Sequence, residues 1–347
     1  MTVHRGRRRA PVAVAVLLVS AAVAAGCAAP AAPPRAAESL RNCGTDVPLV
    51  RPSRIVAAFQ NGIEAVYALG AGERVVGAAY LDNRLPPEIA AQFHPERSRP
   101  AYFPDEYPSR EEVLRLAPDL VVSGFTGAVS EEGLGTRAEL AALGANAYVF
   151  RSFCPSADGA GQTSLAANDV SLDAVHADLT DLGRLLGAPD RAAALVDRMR
   201  ATVAATQRRL ADLRTRPRVA MVNRPGGSGP LRVFGTGDVA TTIIETAGGT
   251  QAFPGIDGRM TRVDTEGLIA ARPDVIVVPS CCGADEDLGA ATRLIARLRA
   301  DPALAGVPAV RDGRLVPVTF AEVSPGIRNA DAVATLARAL HPDRFAD

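Results

Sequence analysis

The sequence has no tryptophan and no lysine, and aromatic residues make up only 4% of its 347 positions. Every basic side chain other than histidine is an arginine. With the many alanines this reads as compositional bias, so a single arginine carries little functional weight. Histidine is scarce as well: His4, His94, His176 and His341 lie too far apart to form the clustered imidazoles of a zinc or manganese site. No metal centre is therefore expected. Basic and acidic side chains balance at 38 each, and no basic block occurs in the body of the chain, which argues against a nucleic-acid partner. No Gly-x-Ser-x-Gly elbow or close nucleophile–base pair is present, so no enzyme is expected.

A long apolar membrane span is also missing. Arg5, Arg7, Arg8 and Arg9 precede an apolar stretch, Pro11 to Val23, that is too short to cross a bilayer. Ala24-Ala25-Gly26-Cys27 follows and resembles a bacterial lipobox, with Ala24 where a leucine is usual. Residues 1–26 are read as a signal peptide, with lipidation at Cys27 holding the protein on the extracytoplasmic face of the cell membrane. A plain signal peptide with an incidental Cys27 is the other reading. Ala28 to Asn42 is rich in alanine and proline without periodicity, and residues 27–49 are assigned to anchor and tether.

Beyond the tether the chain is long enough for two cores. From about Ser171 to Leu213 apolar residues recur at intervals of three and four, which predicts one long helix over 171–214, with a tight turn or kink at Gly187-Ala188-Pro189-Asp190. Similar blocks flank it. Glu111 to Val122 and Glu266 to Val278 each read as a short helix opened by glutamate, stopped by Pro-Asp and followed by a buried strand. Arg54–Phe59 and Arg218–Asn223 open the two halves. The expected fold is α/β: two Rossmann-like lobes with parallel sheets, 50–165 and 217–347, joined by one long interdomain helix.

In such sheets ligands meet the loops at the carboxyl ends of strands. In the first lobe that places Phe59, Gln60, Asn61, Tyr80, Phe125 and Arg151 in the candidate lining. In the second lobe the equivalent loops carry Asn223-Arg224, Phe234, Cys281-Cys282 and Phe320, and Arg224, Arg259 and Arg328 are the best cationic contacts for an anion. Gly235-Thr236-Gly237-Asp238 offers backbone N–H groups ahead of a helix but fits no nucleotide fingerprint. Glu64 and Asp82 are acids near this expected cleft, without a partner base. Cys43, Cys154, Cys281 and Cys282 allow three disulfide pairings. Cys43–Cys154 is favoured because both belong to the first half. That leaves Cys281-Cys282 as a vicinal disulfide, a reduced pair or a weak metal site.

Taken together, the lipobox, the Arg54-Ile55-Val56 strand with Glu64 and Ala68-Leu69-Gly70, the Pro108-Ser109-x-Glu111…Pro118-Asp119 and Glu266…Pro273-Asp274 blocks, the long helix and the closing Arg328…His341-Pro342-Asp343 resemble the siderophore/cobalamin class of substrate-binding proteins. These are the long-helix-bridged, class III periplasmic binding proteins that serve ATP-binding-cassette importers, and the resemblance covers roughly residues 50–345. It implies a monomer that holds its ligand between two lobes and moves little on binding. It also implies one glutamate per lobe, Glu111 and Glu266, docking onto arginines of a permease dimer with its ATPase. Each of these acids also stands at a helix start, where it favours the dipole and completes capping.

For the ligand, sparse aromatics argue against the large flat faces of haem and cobalamin, and haem also needs an axial ligand. A ferric siderophore, polar and often anionic, suits arginines and loop amides. A ferric-siderophore complex is the expected cargo, with no resident cofactor; a corrinoid or haem, or a sensing lipoprotein without transport, are the alternatives.

Overall fold

The computed structural model describes residues 1–2, 38–94, 100–104, 107–154, 170–224 and 230–346. Residues 3–26 of the expected signal segment, Cys27 and the tether up to residue 37 lie outside them.

The first lobe is built on β3 (Ile55–Ala58), β4 (Val75–Ala79), β5 (Ala101–Phe103), β6 (Leu120–Ser123) and β7 (Asn146–Val149), preceded by a hairpin of β1 (Ser39–Asn42) and β2 (Thr45–Pro48). The five strands of the sheet are parallel, in the order β5-β4-β3-β6-β7. β3, β4 and β6 are buried throughout, as a parallel sheet covered on both faces requires, and this explains their uninterrupted Ile/Val/Ala/Leu character. Helices α1 (Gln60–Ala68), α2 (Pro87–Ala90), α3 (Arg110–Leu116) and α4 (Arg137–Ala142) connect them. Ser109 with Glu112, and Thr136 with Glu139, form capping boxes that fix the starts of α3 and α4.

Residues 39–48 are not tether. Asn42 is buried, donates to the Val149 carbonyl at 2.8 Å and accepts from the Val149 N–H at 2.9 Å, so the β1–β2 hairpin belongs to the first lobe. Cys43, at its tip, is joined by a disulfide to Cys154, 111 residues away. Cys281 and Cys282 are bonded to each other.

The connecting stretch is two helices rather than one. α5 (Leu172–Leu186) ends where Gly187 takes a left-handed conformation (φ 68°), and α6 (Pro189–Arg209) starts with proline at its first position. α5 begins beside the second lobe, where Thr242 Oγ1 donates to the Val170 carbonyl, and ends at the first, where Arg74 donates to the Leu186 carbonyl. The chain then returns along α6, from Ala192 and Leu195 in the first lobe's core towards Leu210 in the second's. α6 runs between the two cores as one continuous helix, about 30 Å long for its 21 residues.

The second lobe contains β8 (Arg218–Asn223), β9 (Leu231–Phe234), β10 (Thr250–Gln251), β11 (Met260–Val263), β12 (Val275–Ser280) and β13 (Leu315–Thr319). Its helices are α7 (Val239–Thr246), α8 (Thr265–Ala271), α9 (Gly289–Ala300), α10 (Pro308–Arg311), α11 (Phe320–Val323) and α12 (Asn329–Leu340). The sheet runs β11-β9-β8-β12-β13, with β10 beside β8. It is mixed, where a parallel sheet was expected: β9 is antiparallel to both β8 and β11. The segment from Arg224 to Pro230 is too short for a crossover helix, so β9 can only return alongside β8 in the opposite sense.

Replacing Cys43 or Cys154 with serine should lower unfolding free energy by about 2–5 kcal/mol, because the bond restrains a long span of the unfolded chain. Urea denaturation of each variant against the wild type measures this.

Candidate functional site

Phe59 and Tyr80 directly follow β3 and β4, and both have left-handed backbones, with φ of 69° and 64°. Aromatic residues rarely adopt this region, which costs on the order of 1–3 kcal/mol and points to a positional demand. That demand is visible in the rings. Phe59 and Tyr80 stack at 5.6 Å, Phe125 stacks on Phe59 at 5.1 Å, and Tyr107 extends the row from Tyr80 at 5.9 Å. Phe153 meets Phe125 edge-on. The Phe59 ring is packed into the core cluster of the second lobe together with Phe234 and Phe320, which lie 6.2 Å apart. Seven of the chain's ten phenylalanines and five tyrosines thus gather where the lobes face each other. The low overall aromatic content conceals this concentration, so the sequence argument against flat ligands does not hold.

Arg259 lies among these rings. Its guanidinium carbon is 5.1 Å from the centre of Phe153, 5.8 Å from Phe125 and 6.0 Å from Phe320, which joins rings of both lobes through one cation. Its Nε donates to Asp238 at 2.7 Å, and Asp238 also caps α7 through Ala240 N–H. Burial raises the Asp238 carboxyl pKa against the pull of Arg259. The bond to Asp238 leaves the terminal nitrogens of Arg259 outside it.

Asp82 sits just beyond Tyr80 and is 2% exposed. One carboxyl oxygen lies 3.5 Å from Cys281 Sγ; the other is buried without a hydrogen-bond partner among the described residues. Burial pushes its pKa from 3.8 up to about 7, with Arg259 opposing. Asp82, Cys281 and Cys282 are close enough to be considered as cation ligands, but the sulfurs are bonded to each other.

Several predicted lining residues do other work. Gln60 accepts from the Asp82 and Asn83 N–H groups and donates to Glu64. Asn61 donates to the Pro325 carbonyl, and Arg328 pairs with both oxygens of buried Glu64. Asn61 and Arg328 join the lobes to each other, while Gln60 holds first-lobe groups in place beside them. Asn83 completes this seam by donating to the Ser280 carbonyl and accepting from Ala321 N–H. Arg151 is tied to Asp178 and Asp181 of α5 and serves the helix connection. Arg224 follows β8 with its Nε buried and without a partner among the described residues. The Gly235-Thr236-Gly237 loop is no anion cradle: Gly235 and Thr236 donate to the Arg259 and Ile256 carbonyls, and a Cβ at Gly235 or Gly237 would collide with that segment's backbone. Sequence reading missed Tyr107 and Phe153, which stand in irregular segments with no periodic signal, and the pairing of Asp238 with Arg259.

Glu111 and Glu266 occupy matching places. α3 and α8 each end in a left-handed residue, Ala117 and Arg272, followed by Pro-Asp. Arg54 and Arg218 donate to the last carbonyls of these helices, Leu116 and Ala271, while Asp119 and Asp274 accept from the Arg54 and Arg218 N–H groups. Neither glutamate caps its helix. Ser109 with Glu112 does so for α3 and Asp264 for α8, which corrects the capping role expected of Glu111 and Glu266. Both are exposed, Glu111 within 3.2 Å of Arg115.

The Asp82 shift makes stability depend on pH. Between its ordinary and raised values the native state holds a proton that the unfolded state releases, so stability falls as pH rises from about 4 to about 7. Asp82→Asn should flatten this fall, differing least from wild type near pH 4 and melting higher at pH 8, by at most on the order of 4 kcal/mol. Thermal melts across pH report it.

The family described as periplasmic binding protein matches residues 55–320. No curated protein matches the sequence. Among solved structures, a periplasmic binding protein from Veillonella parvula DSM 2008 is 22% identical, with 88% of this chain and 97% of that chain covered and a TM-score of 0.73. An ABC-type Fe3+-hydroxamate transport system structure from Saccharomonospora viridis DSM 43017 is 24% identical, covering 90% and 100%, with a TM-score of 0.68. The periplasmic heme-binding protein RhuT of Roseiflexus sp. RS-1, in apo form, is 25% identical, covering 84% and 99%, at 0.61. No helix among the described residues is long and apolar enough to cross a membrane. With two α/β lobes meeting at a cluster of stacked rings, the chain belongs to the periplasmic binding protein family, whose members are substrate-binding proteins of ABC transport and not enzymes.

Proposed function

We propose that this protein captures a ferric siderophore between its lobes and delivers it to an ABC permease from a lipid anchor at Cys27. The observation that carries the reading is Arg259, a buried guanidinium ringed by Phe125, Phe153 and Phe320 with terminal nitrogens to spare. Such a site suits a chelate that combines aromatic rings with negative charge, as a ferric catecholate does: the rings stack and the anionic oxygens accept from the guanidinium. The Fe3+-hydroxamate transport structure shares this fold.

The stacked row Phe59, Tyr80 and Tyr107 favours a second reading, a haem or corrinoid. The axial ligand weighs against haem. His94, His176 and His341 belong to other parts of the structure, and burial raises the Tyr107 pKa and opposes the phenolate that would bind iron. Glu111 and Glu266 are proposed as the docking carboxylates, one per lobe, on a two-fold permease.

Native mass spectrometry of residues 38–347 with ferric catecholates, ferric hydroxamates, haem and cobalamin should show one retained ferric complex. Retention of a corrinoid or haem alone moves the cargo to the second reading. Arg259→Gln should weaken a retained anionic complex about 10- to 100-fold while keeping a cooperative melt. Glu111→Gln with Glu266→Gln should abolish uptake and leave ligand affinity unchanged; loss of affinity would move these acids from the docking surface to the cleft.

A further inference from the structure

Large apolar side chains are exposed at few places among the described residues: Met1, Val50, Leu114, Leu143 and Ile269. Two of these are equivalent in the internal repeat. Leu114 stands three residues after Glu111 on α3, and Ile269 stands three residues after Glu266 on α8. In a helix that spacing puts both side chains on one face, so each lobe presents a carboxylate beside an aliphatic group. Leu114 is 44% exposed and Ile269 39%. Single exposed apolar residues are ordinary on a protein surface. The same residue class at the same register position of two repeated helices, each beside the same acid, is a repeated surface element.

Both helices are held firmly. Arg54 and Arg218 grip the final carbonyls, and the left-handed Ala117 and Arg272 end each helix in the same way. A pre-set pair of patches fits a partner that repeats its own surface, and a permease with two equivalent subunits offers that repeat.

We infer that Leu114 and Ile269 are apolar contacts for the permease dimer, one in each half, seated beside Glu111 and Glu266. This rests on the docking reading of the two glutamates and deepens it. The glutamates supply steering and register, which salt screens. The aliphatic groups supply desolvated contact, which salt does not screen.

The test is the affinity of the ligand-loaded protein for its permease–ATPase complex in lipid nanodiscs, measured at low and high salt. Leu114→Ser with Ile269→Ser should weaken binding about tenfold or more at both ionic strengths, leaving the salt dependence and ligand affinity as in the wild type. Glu111→Gln with Glu266→Gln should weaken binding and flatten the salt dependence. Each single apolar variant should cost a similar share, because the two halves are equivalent. Wild-type affinity in the Leu114/Ile269 double variant, with binding impaired in the glutamate variant, overturns the apolar contacts and leaves the docking reading standing. Wild-type affinity in both double variants, or no binding by the wild type, overturns the docking reading and this inference with it.

Discussion

The buried ion pair between Glu64 and Arg328 decides how the two lobes meet. A carboxylate as deeply buried as Glu64 has a raised pKa and would be costly to keep ionised without a cation, and the cation comes from the other lobe, at the start of α12. Around the pair, Gln60 turns the Asp82–Asn83 backbone inward, Asn83 bonds to Ser280 and Ala321, and Asn61 reaches Pro325. This seam satisfies polar groups that would otherwise be stranded when the lobes close. It ties the loops after β3 and β4 to those after β12 and β13, and thereby sets the distance across which Phe59, Tyr80 and Phe125 face Arg259 and Phe320.

A seam of this kind limits motion in a way that matches the connection behind it. α6 spans the lobes as a continuous helix, and α5 packs the return of the chain against the first lobe's core. The lobes are held by a helix on one side and by directional hydrogen bonds on the other. Swinging of whole lobes is opposed at both places. The rings and Arg259 keep their places across the seam, and α3 and α8 keep their relative placement.

Much of this was legible in the sequence, because the signals were periodic or repeated. Buried parallel strands announce themselves as apolar runs, and Leu120–Ser123 and Arg218–Asn223 fall where those runs predict them. The Glu…Pro-Asp blocks identified the duplicated lobes. Phe59, Tyr80, Phe125 and Phe320 stand at the strand ends where the sequence placed them. Asn61 and Arg328 stand at the same kind of strand end or loop, but that each reaches the opposite lobe depends on contacts between residues more than 200 positions apart. Arg151 failed for a similar reason, since its carboxylates lie on α5. The β1–β2 hairpin was hidden because its strands are four residues each and partly exposed, and a proline-rich lead-in masks them. The second sheet's antiparallel β9 follows from a loop length whose consequence only the partner strand reveals.

The left-handed backbone at Phe59 and Tyr80 is strain held in place by what the rings bury. Glycine would relax the main chain by about 1–3 kcal/mol, but at Phe59 it would also remove a ring packed in the second lobe's core, a loss of about 3–5 kcal/mol. The ring outweighs the strain, and its stack on Tyr80 carries the same flat surface to the next strand end. A first-lobe residue is thus a core residue of the second lobe, and its loss would loosen the joint between the two and not only the loop that carries it.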